Sequence, residues 1–322
     1  MQIKNIEKMG KENRSTVTEF ILLGFSEYPH LKLFVSVTVF LIFLISVLGN
    51  FIFLLLVCAE PHLQKPMYFF LSSLSFLDIC NSSVTLSTLL KNLLTGNMFI
   101  SFSVCMAQFY FFISLTATEI LLLAAMAYDR YIAICNPLHY VLIMNRRVCV
   151  ILASSSWIIG FVETIPQAIM TSHISFCRSN EINHFFCETS AMMKLSCSDL
   201  LNLEILILIE VVFEVVIPFG LTLTSYCYII CSILKMYSAK GRHKAFSTCS
   251  FHLTIVILFY GSLIFMYMRP PSMYSPKYDK LFSLLYTALI PMLNPIIYSL
   301  RNKDVNKALT KLIGVNYGMH IT

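Results

Sequence analysis

The sequence predicts an all-α fold: a bundle of seven transmembrane helices, closed by a short amphipathic C-terminal helix. Three observations predict it. Of the 322 residues, 57% are hydrophobic and only 12% charged, with a mean hydropathy of +0.75. Soluble domains carry roughly 25% charged residues, and a water-soluble fold of this composition would expose large apolar patches. Seven apolar runs reach the roughly 20 residues that a bilayer crossing needs. The aromatic content, 26 Phe and 16 Tyr against a single Trp, suits helix packing and interfacial rings.

In chain order, residues 1–32 are a polar tail of mixed charge. It has no apolar core of the signal-peptide type, so the first membrane helix is expected to do the targeting. Its Asn13-Arg14-Ser15 is a glycosylation acceptor. The membrane domain, 33–300, holds the runs Leu33–Cys58, Pro66–Leu90, Phe102–Ile134, Val148–Met170, Leu203–Leu234, Ala245–Met268 and Leu281–Leu300. Loops between them are short and polar except Thr171–Asn202. Residues 301–322 form the tail. There Val305, Ala308, Leu309, Leu312 and Ile313 recur at helical spacing with Lys between them, the pattern of a helix lying on a membrane surface. No repeat relates the two halves, which weighs against a transporter built from inverted repeats.

Lys and Arg divide almost evenly between the two sides, so total charge does not orient the chain. The rule weighs short loops and helix ends, where Arg146, Arg147, Arg242, Lys244 and Arg301 lie. With the Asn13 sequon and the Cys-rich loop on the opposite side, these place the N-terminus outside. Among the 11 cysteines there is no C-x-x-C. Cys177, Cys187 and Cys197 share the one long loop, as expected of an oxidising face. A net charge of +6, scattered along the chain, does not suggest nucleic-acid binding.

The most informative stretch runs from Met126 to Tyr140, where a long apolar helix closes on Asp129-Arg130-Tyr131. Charge at the membrane edge is costly and usually marks function. An interfacial anchor is the plain reading. The sharper one is a switch, with Arg130 paired to Asp129 in one state and released in another. Tyr226 and Tyr298 are amphipathic rings near the same face and are candidates to hold the released Arg130. Pro218 and Pro295 interrupt helical hydrogen bonding and let their helices bend.

Further fragments join this one. They are Gly49-Asn50, Pro66-Met67-Tyr68-Phe69-Phe70-Leu71 with Asp78, Ser225-Tyr226, Lys244-Ala245-Phe246-Ser247-Thr248-Cys249, and Pro291-Met292-Leu293-Asn294-Pro295-Ile296-Ile297-Tyr298-Ser299-Leu300-Arg301-Asn302. The long loop adds His184-Phe185-Phe186-Cys187 and Lys194-Leu195-Ser196-Cys197-Ser198-Asp199. Together, from about Phe20 to Lys311, they make the chain resemble a rhodopsin-like G-protein-coupled receptor, and within that class an olfactory (odorant) receptor. Asp-Arg-Tyr and Asn-Pro-x-x-Tyr carry the superfamily; the longer fragments are specific to odorant receptors. The chain departs from that pattern at Phe251, where a small residue is usual, at Gln64-Lys65 and at Ser87-Thr88. Phe251 lies on the helix expected to move on activation.

The resemblance implies a plasma-membrane receptor that binds a small odorant and activates a heterotrimeric G protein of the olfactory stimulatory type. Membrane lipid is its other partner, and no nucleic acid is expected. It implies disulfides Cys105–Cys187 and Cys177–Cys197, and a switch of Asp129, Arg130, Tyr131, Tyr226, Asn294, Pro295 and Tyr298. It places the ligand among the outer halves of helices three, five, six and seven. On helix three, Phe109, Phe112, Ile113 and Thr116 share a face by spacing, as do Tyr260, Leu263, Ile264 and Tyr267 on helix six. Such faces are more often plain core, and the resemblance tips the balance to a pocket. Asn50, Asp78, Glu119 and Asn294 form a polar set at mid-membrane depth. Burying those carboxyls requires pairing, protonation or an ion; sodium and a network of protonated carboxyls both meet the requirement.

Glu210 and Glu214 stand about one turn apart on helix five, with Glu204 nearer its outer end. Two carboxylates so close in an apolar segment do not both ionise easily. They either bond neighbouring helices as neutral acids or meet a ligand with a donor or cationic group, such as an amine. The competing identities are a rhodopsin-like receptor for a non-odorant metabolite and, from another class, a transporter or channel. An enzyme is least expected, since no catalytic Ser/His/Asp set or metal-ligand set converges and no cofactor is called for.

Overall fold

The computed structural model describes residues 17–26, 29–176, 179–267, 276–301 and 303–312. Asn13 and Cys177 lie outside the described residues, as do the side chains of Lys244, Phe251, Tyr267 and Tyr298.

The chain is a seven-transmembrane helical bundle. Helix α1 spans Lys32–Ala59, α2 Pro66–Thr95 and α3 Phe102–Cys135. Helix α4 runs Arg146–Glu163 and resumes as Ile165–Ser172; α5 runs Leu201–Leu234 and α6 Ala239–Tyr267. Helix α7 is built from Pro276–Leu284, Leu285–Leu289 and Ile290–Arg301, and α8 is Lys303–Leu312. Among the described residues, α1 to α5 and α7 are long and apolar enough to cross a membrane, and α6 adds the shorter apolar stretch His252–Met266. On α1, Leu33, Phe34, Val37, Leu48 and Phe51 point outward and are exposed, a face suited to lipid rather than water.

Each irregularity has a local cause. Helix α4 breaks at Thr164 because Pro166 has no N–H for the carbonyl of Val162, which the backbone N–H of Thr164 meets instead. Helix α5 widens into a π turn over Val211–Val216. Pro218 would crowd the carbonyl of Glu214, and the wider turn, closed by Ile217 N–H on Val212 O, relieves it. Pro291 does the same in α7, where Ile290 N–H reaches Leu285 O across the π turn Leu285–Leu289. Helix α2 ends at Gly96, whose φ of 72° is open to glycine and strained for other residues.

Helices α3 and α4 meet at Gly160. A Cβ there would lie 2.8 Å from Thr118 N and 3.0 Å from Ser114 O, so only glycine fits. Gly49 on α1 plays the same part against α7, since its Cβ would lie 2.9 Å from Cγ of Pro295.

Two features differ from expectation. The tail is not wholly irregular: β1 (Glu19–Leu22) pairs antiparallel with β2 (Phe99–Ser101) and parallel with β3 (Glu181–Ile182). This sheet buries Phe20 and Leu22 and ties the tail to the outer loop. Helix α6 begins at Ala239, six residues before the apolar run, because a helix leaving the membrane no longer needs apolar side chains. Helix α8 follows the expected pattern, with Val305 and Ala308 buried against the bundle. Lys65–Asp304 at 3.3 Å and Lys311–Glu60 at 2.7 Å link it to the loop before α2.

Candidate functional site

Helix α3 carries both ends of the candidate site. At its inner end, Arg130 donates to Asp129 through Nε (2.9 Å to Oδ2) and through Nη2. The other oxygen of Asp129 accepts from the hydroxyl of Tyr140, 2.8 Å away, in the short helix Tyr140–Ile143 that follows. Burial and the neighbouring Asp129 carboxylate raise the Tyr140 hydroxyl above the usual tyrosine value, so it stays a donor at neutral pH. Both carboxylate oxygens of Asp129 are thus occupied.

Tyr226 is not on Arg130. Its hydroxyl bonds Nδ1 of His252 on α6 at 2.6 Å, with the two rings stacked. Tyr226 and Cys249 share a small buried cluster with Ala127 of α3, beside the Asp129–Arg130 pair. Tyr131 packs between Tyr128 and Tyr228 with both rings tilted to its own. The sequence reading missed His252 and Tyr140 as members of this face. Both act through partners on other elements, and no local pattern marks them.

At mid-depth, Asn294 donates to Asp78 at 2.8 Å. Asn50 donates 2.9 Å to the carbonyl of Pro291. That carbonyl is orphaned because Pro295, four residues on, has no N–H, so Asn50 and Pro295 form one device. Asp78 Oδ1, both oxygens of Glu119, Asn50 Oδ1 and Asn294 Oδ1 are buried with no partner among the described residues. This set of oxygens has the chemistry that a hard cation accepts.

In the outer half, a cavity of about 260 Å³ lies between α3, α4, α5, α6 and the long loop. Phe112, Ile113, Thr116, Ala117 and Ile120 line it from α3. Glu204, Ile207, Glu210, Val211, Glu214 and Val215 line it from α5. Leu263 comes from α6, Gln167 from α4, and Thr189, Ser190 and Met193 from the short loop helix Thr189–Met193. Of the sequence candidates, Phe112, Ile113, Thr116, Glu210, Glu214 and Leu263 converge here. Phe109 sits higher, buried beside Cys105 and Cys187. Tyr260 is buried against Phe219, ring centres 4.8 Å apart, and Ile264 faces outward. Helix α7 supplies no lining residue among those described. The loop helix and Gln167 do, and their approach depends on the tertiary fold.

The loop is pinned over the cavity. Cys105 and Cys187 form a disulfide with Cα atoms 5.6 Å apart. Cys197 is also disulfide-bonded. Gln108 of α3 accepts from Cys187 N–H at 3.0 Å and donates to Val84 O and Thr88 Oγ1 of α2. His184 is buried between Phe185, stacked on it, and Phe186, edge-on. Burial, then the Lys280 ammonium, push its pKa down to about 3. Glu188 caps the loop helix, accepting from Ser190 Oγ (2.6 Å) and Ala191 N–H (3.0 Å). Burial raises the pKa of this carboxyl above the usual glutamate value.

Residues 39–315 match the family described as "Olfactory receptor". Olfactory receptor 5AR1 of Mus musculus is 47% identical over 306 residues, 95% of this chain and 99% of that protein. Its Homo sapiens counterpart is 46% identical over the same shares. Olfactory receptor 5AP2 of Mus musculus is 48% identical over 302 residues, 94% of this chain and 95% of that protein.

Proposed function

The chain belongs to the olfactory receptor family, and from that premise we propose that its outer cavity is the odorant site and its Asp129–Arg130–Tyr140 cluster the switch. It is a G-protein-coupled receptor for odorants and not an enzyme. The observation that carries the site assignment is that one rigid helix holds both parts. Thr116 lines the cavity and Arg130 closes the inner face, 14 residues and so about 20 Å apart along α3.

A ligand among Phe112, Ile113, Thr116, Glu210, Glu214 and Leu263 biases how α5 and α6 sit against α3. The inner ends of those helices carry Tyr226 and His252. Separating them frees the Tyr226 hydroxyl and uncovers Arg130 for a G protein of the olfactory stimulatory type, raising cAMP. A ligand that prefers the open arrangement shifts the population by no more than its difference in affinity for the two states. Tyr131, Asn294, Pro295 and Tyr298 belong to the same moving face. The apolar lining and small volume suit a small, mostly apolar molecule. The oxygens around Asp78 and Glu119 take sodium or share protons in the resting state. The N-terminus faces outward at the plasma membrane, glycosylated at Asn13, and Cys177 is the partner of Cys197.

The test is a cAMP reporter assay over a broad odorant panel. It is run on the wild type, on Arg130→Ala, and on Val211→Trp, which fills the cavity, with surface expression measured for each. Loss of every ligand response in Val211→Trp at normal expression supports the cavity. Responses untouched by Val211→Trp sink it.

A further inference from the structure

The cavity is lined by three carboxylates and, among the described residues, no basic side chain. Glu210 is only 6% exposed, faces the cavity, and its Oε1 has no hydrogen-bond partner among the described residues. Oε1 of Glu214, four residues on and on the same wall, is also unpartnered. Glu163 of α4 lies close enough to interact electrostatically with both. Exposed Glu204 adds a further acid to the lining. None of these four forms an ion pair or side-chain hydrogen bond among the described residues. The rest of the wall is mostly apolar, with the hydroxyls of Thr116, Thr189 and Ser190 and the neutral amide of Gln167.

A buried carboxylate left without donor or counter-charge is costly, and neighbours of the same sign add to the cost. Elsewhere in the bundle Tyr226 bonds His252, Asp78 accepts from Asn294 and Asp129 accepts from Tyr140, while at mid-depth both oxygens of Glu119 are unpartnered among the described residues as well. Helix α5 is also π-wound over Val211–Val216, the segment that carries Glu214 and directly follows Glu210. π turns frequently fall at functional sites.

Resting on the cavity reading above, we propose that this receptor selects small aliphatic amines in their cationic form. The ammonium sits between Glu210 and Glu214 and the alkyl chain lies along Ile113, Val211 and Leu263. An ammonium brings one positive charge and several N–H donors, enough for both unpartnered oxygens at once. A neutral alcohol brings one donor and no charge. A carboxylate ligand brings repulsion from every acidic group in the cavity.

The probes are hexylamine, hexan-1-ol and hexanoate, matched in chain length, read by cAMP response in cells with surface expression measured for each receptor. The expected result is an EC50 for hexylamine at least tenfold below that of hexan-1-ol, with hexanoate weakest. Glu210→Gln and Glu214→Gln each raise the hexylamine EC50 at least tenfold and move that of hexan-1-ol less than threefold. Equal potency of amine and alcohol, or an amine response indifferent to both substitutions, overturns the proposal. If Val211→Trp still abolishes those responses, the cavity stands and only the amine preference has failed. If Val211→Trp leaves them intact, the cavity reading has failed and the proposal falls with it. Should no probe activate, thermal unfolding of the purified receptor reads binding directly. Stabilisation by hexylamine that is lost in Glu210→Gln supports the proposal, and no such stabilisation overturns it.

Discussion

The inner and outer ends of the bundle treat buried charge in opposite ways. At the inner end, both oxygens of Asp129 are occupied, by Arg130 and Tyr140, and the Tyr226 hydroxyl is held by His252. At the outer end, Glu210 and Glu214 each leave an oxygen unpartnered beside a cavity. A fully partnered cluster is a stable closed state that some other arrangement must compete with. An unpartnered one is a demand that an incoming molecule can meet. Under the proposed function the two ends do distinct work: the outer end gains interactions on binding, and the inner end exchanges one satisfied set for another.

The largest expected effect breaks the inner end outright. Arg130→Ala removes the cation that the closed pair and the G-protein-facing state both use. Ligand-evoked cAMP falls to background, while thermal stabilisation by ligand at the outer cavity persists. If Arg130→Ala removed ligand stabilisation as well, the separation of the two ends would be wrong. Next in size is the scaffold they share. Gly160→Val drives a side chain into Thr118 N and Ser114 O, backbone atoms that cannot step aside, and surface expression drops severely. Tyr140→Phe is gentler. It deletes one hydrogen bond to a carboxylate, worth about 1.5–3 kcal/mol, and so shifts the closed–open balance by roughly tenfold or more. Ligand-free cAMP rises, and the EC50 for an agonist falls rather than rises.

Much of this was readable in the chain because lipid imposes one rule on every crossing segment. The seven runs follow from it, as does α8, whose Val305 and Ala308 recur on one face. Asp129-Arg130 stood out for the same reason, as charge where charge is costly. Spacing put Phe112, Ile113 and Thr116 on one face, and all three line the cavity. Phe109 obeys the same spacing one turn higher, but there the Cys105–Cys187 link brings the loop down onto α3 and closes the space. Periodicity cannot report what covers a face. Nor does any local signal reveal that Tyr140 reaches back to Asp129, that His252 meets Tyr226, or that Gln108 holds the loop. These contacts join groups 11, 26 and 79 residues apart. The strand at Glu19–Leu22 escaped notice because four residues in a polar tail carry too short an alternation to register.

The outer cap offers the smallest and most discriminating test, because two of its buried groups respond to acid with opposite sign. The pKa of His184 is 6.5 in the unfolded chain and about 3 in the folded one. Below pH 6.5 the unfolded state therefore binds the proton that the folded state refuses, and stability falls with pH. At pH 5 the loss is about 2 kcal/mol, at about 1.4 kcal/mol per unit. Glu188 runs the other way. Its folded pKa lies above 4.5, so the folded state takes up a proton first and stability rises as pH falls through that window. Lys280 on α7 disfavours the charged form of His184, while Asp279 acts on Glu188. Thermal unfolding of the purified receptor between pH 7.5 and 5 separates the two. Glu188→Gln removes the compensating group, so its melting temperature drops more steeply with acid than that of the wild type. His184→Phe keeps the ring stack on Phe185 and Phe186, and its melting temperature holds level or rises. If both variants tracked the wild type, neither His184 nor Glu188 would be linked to unfolding in this pH range. The contrast would then reduce to the inner switch and the unpartnered glutamates alone.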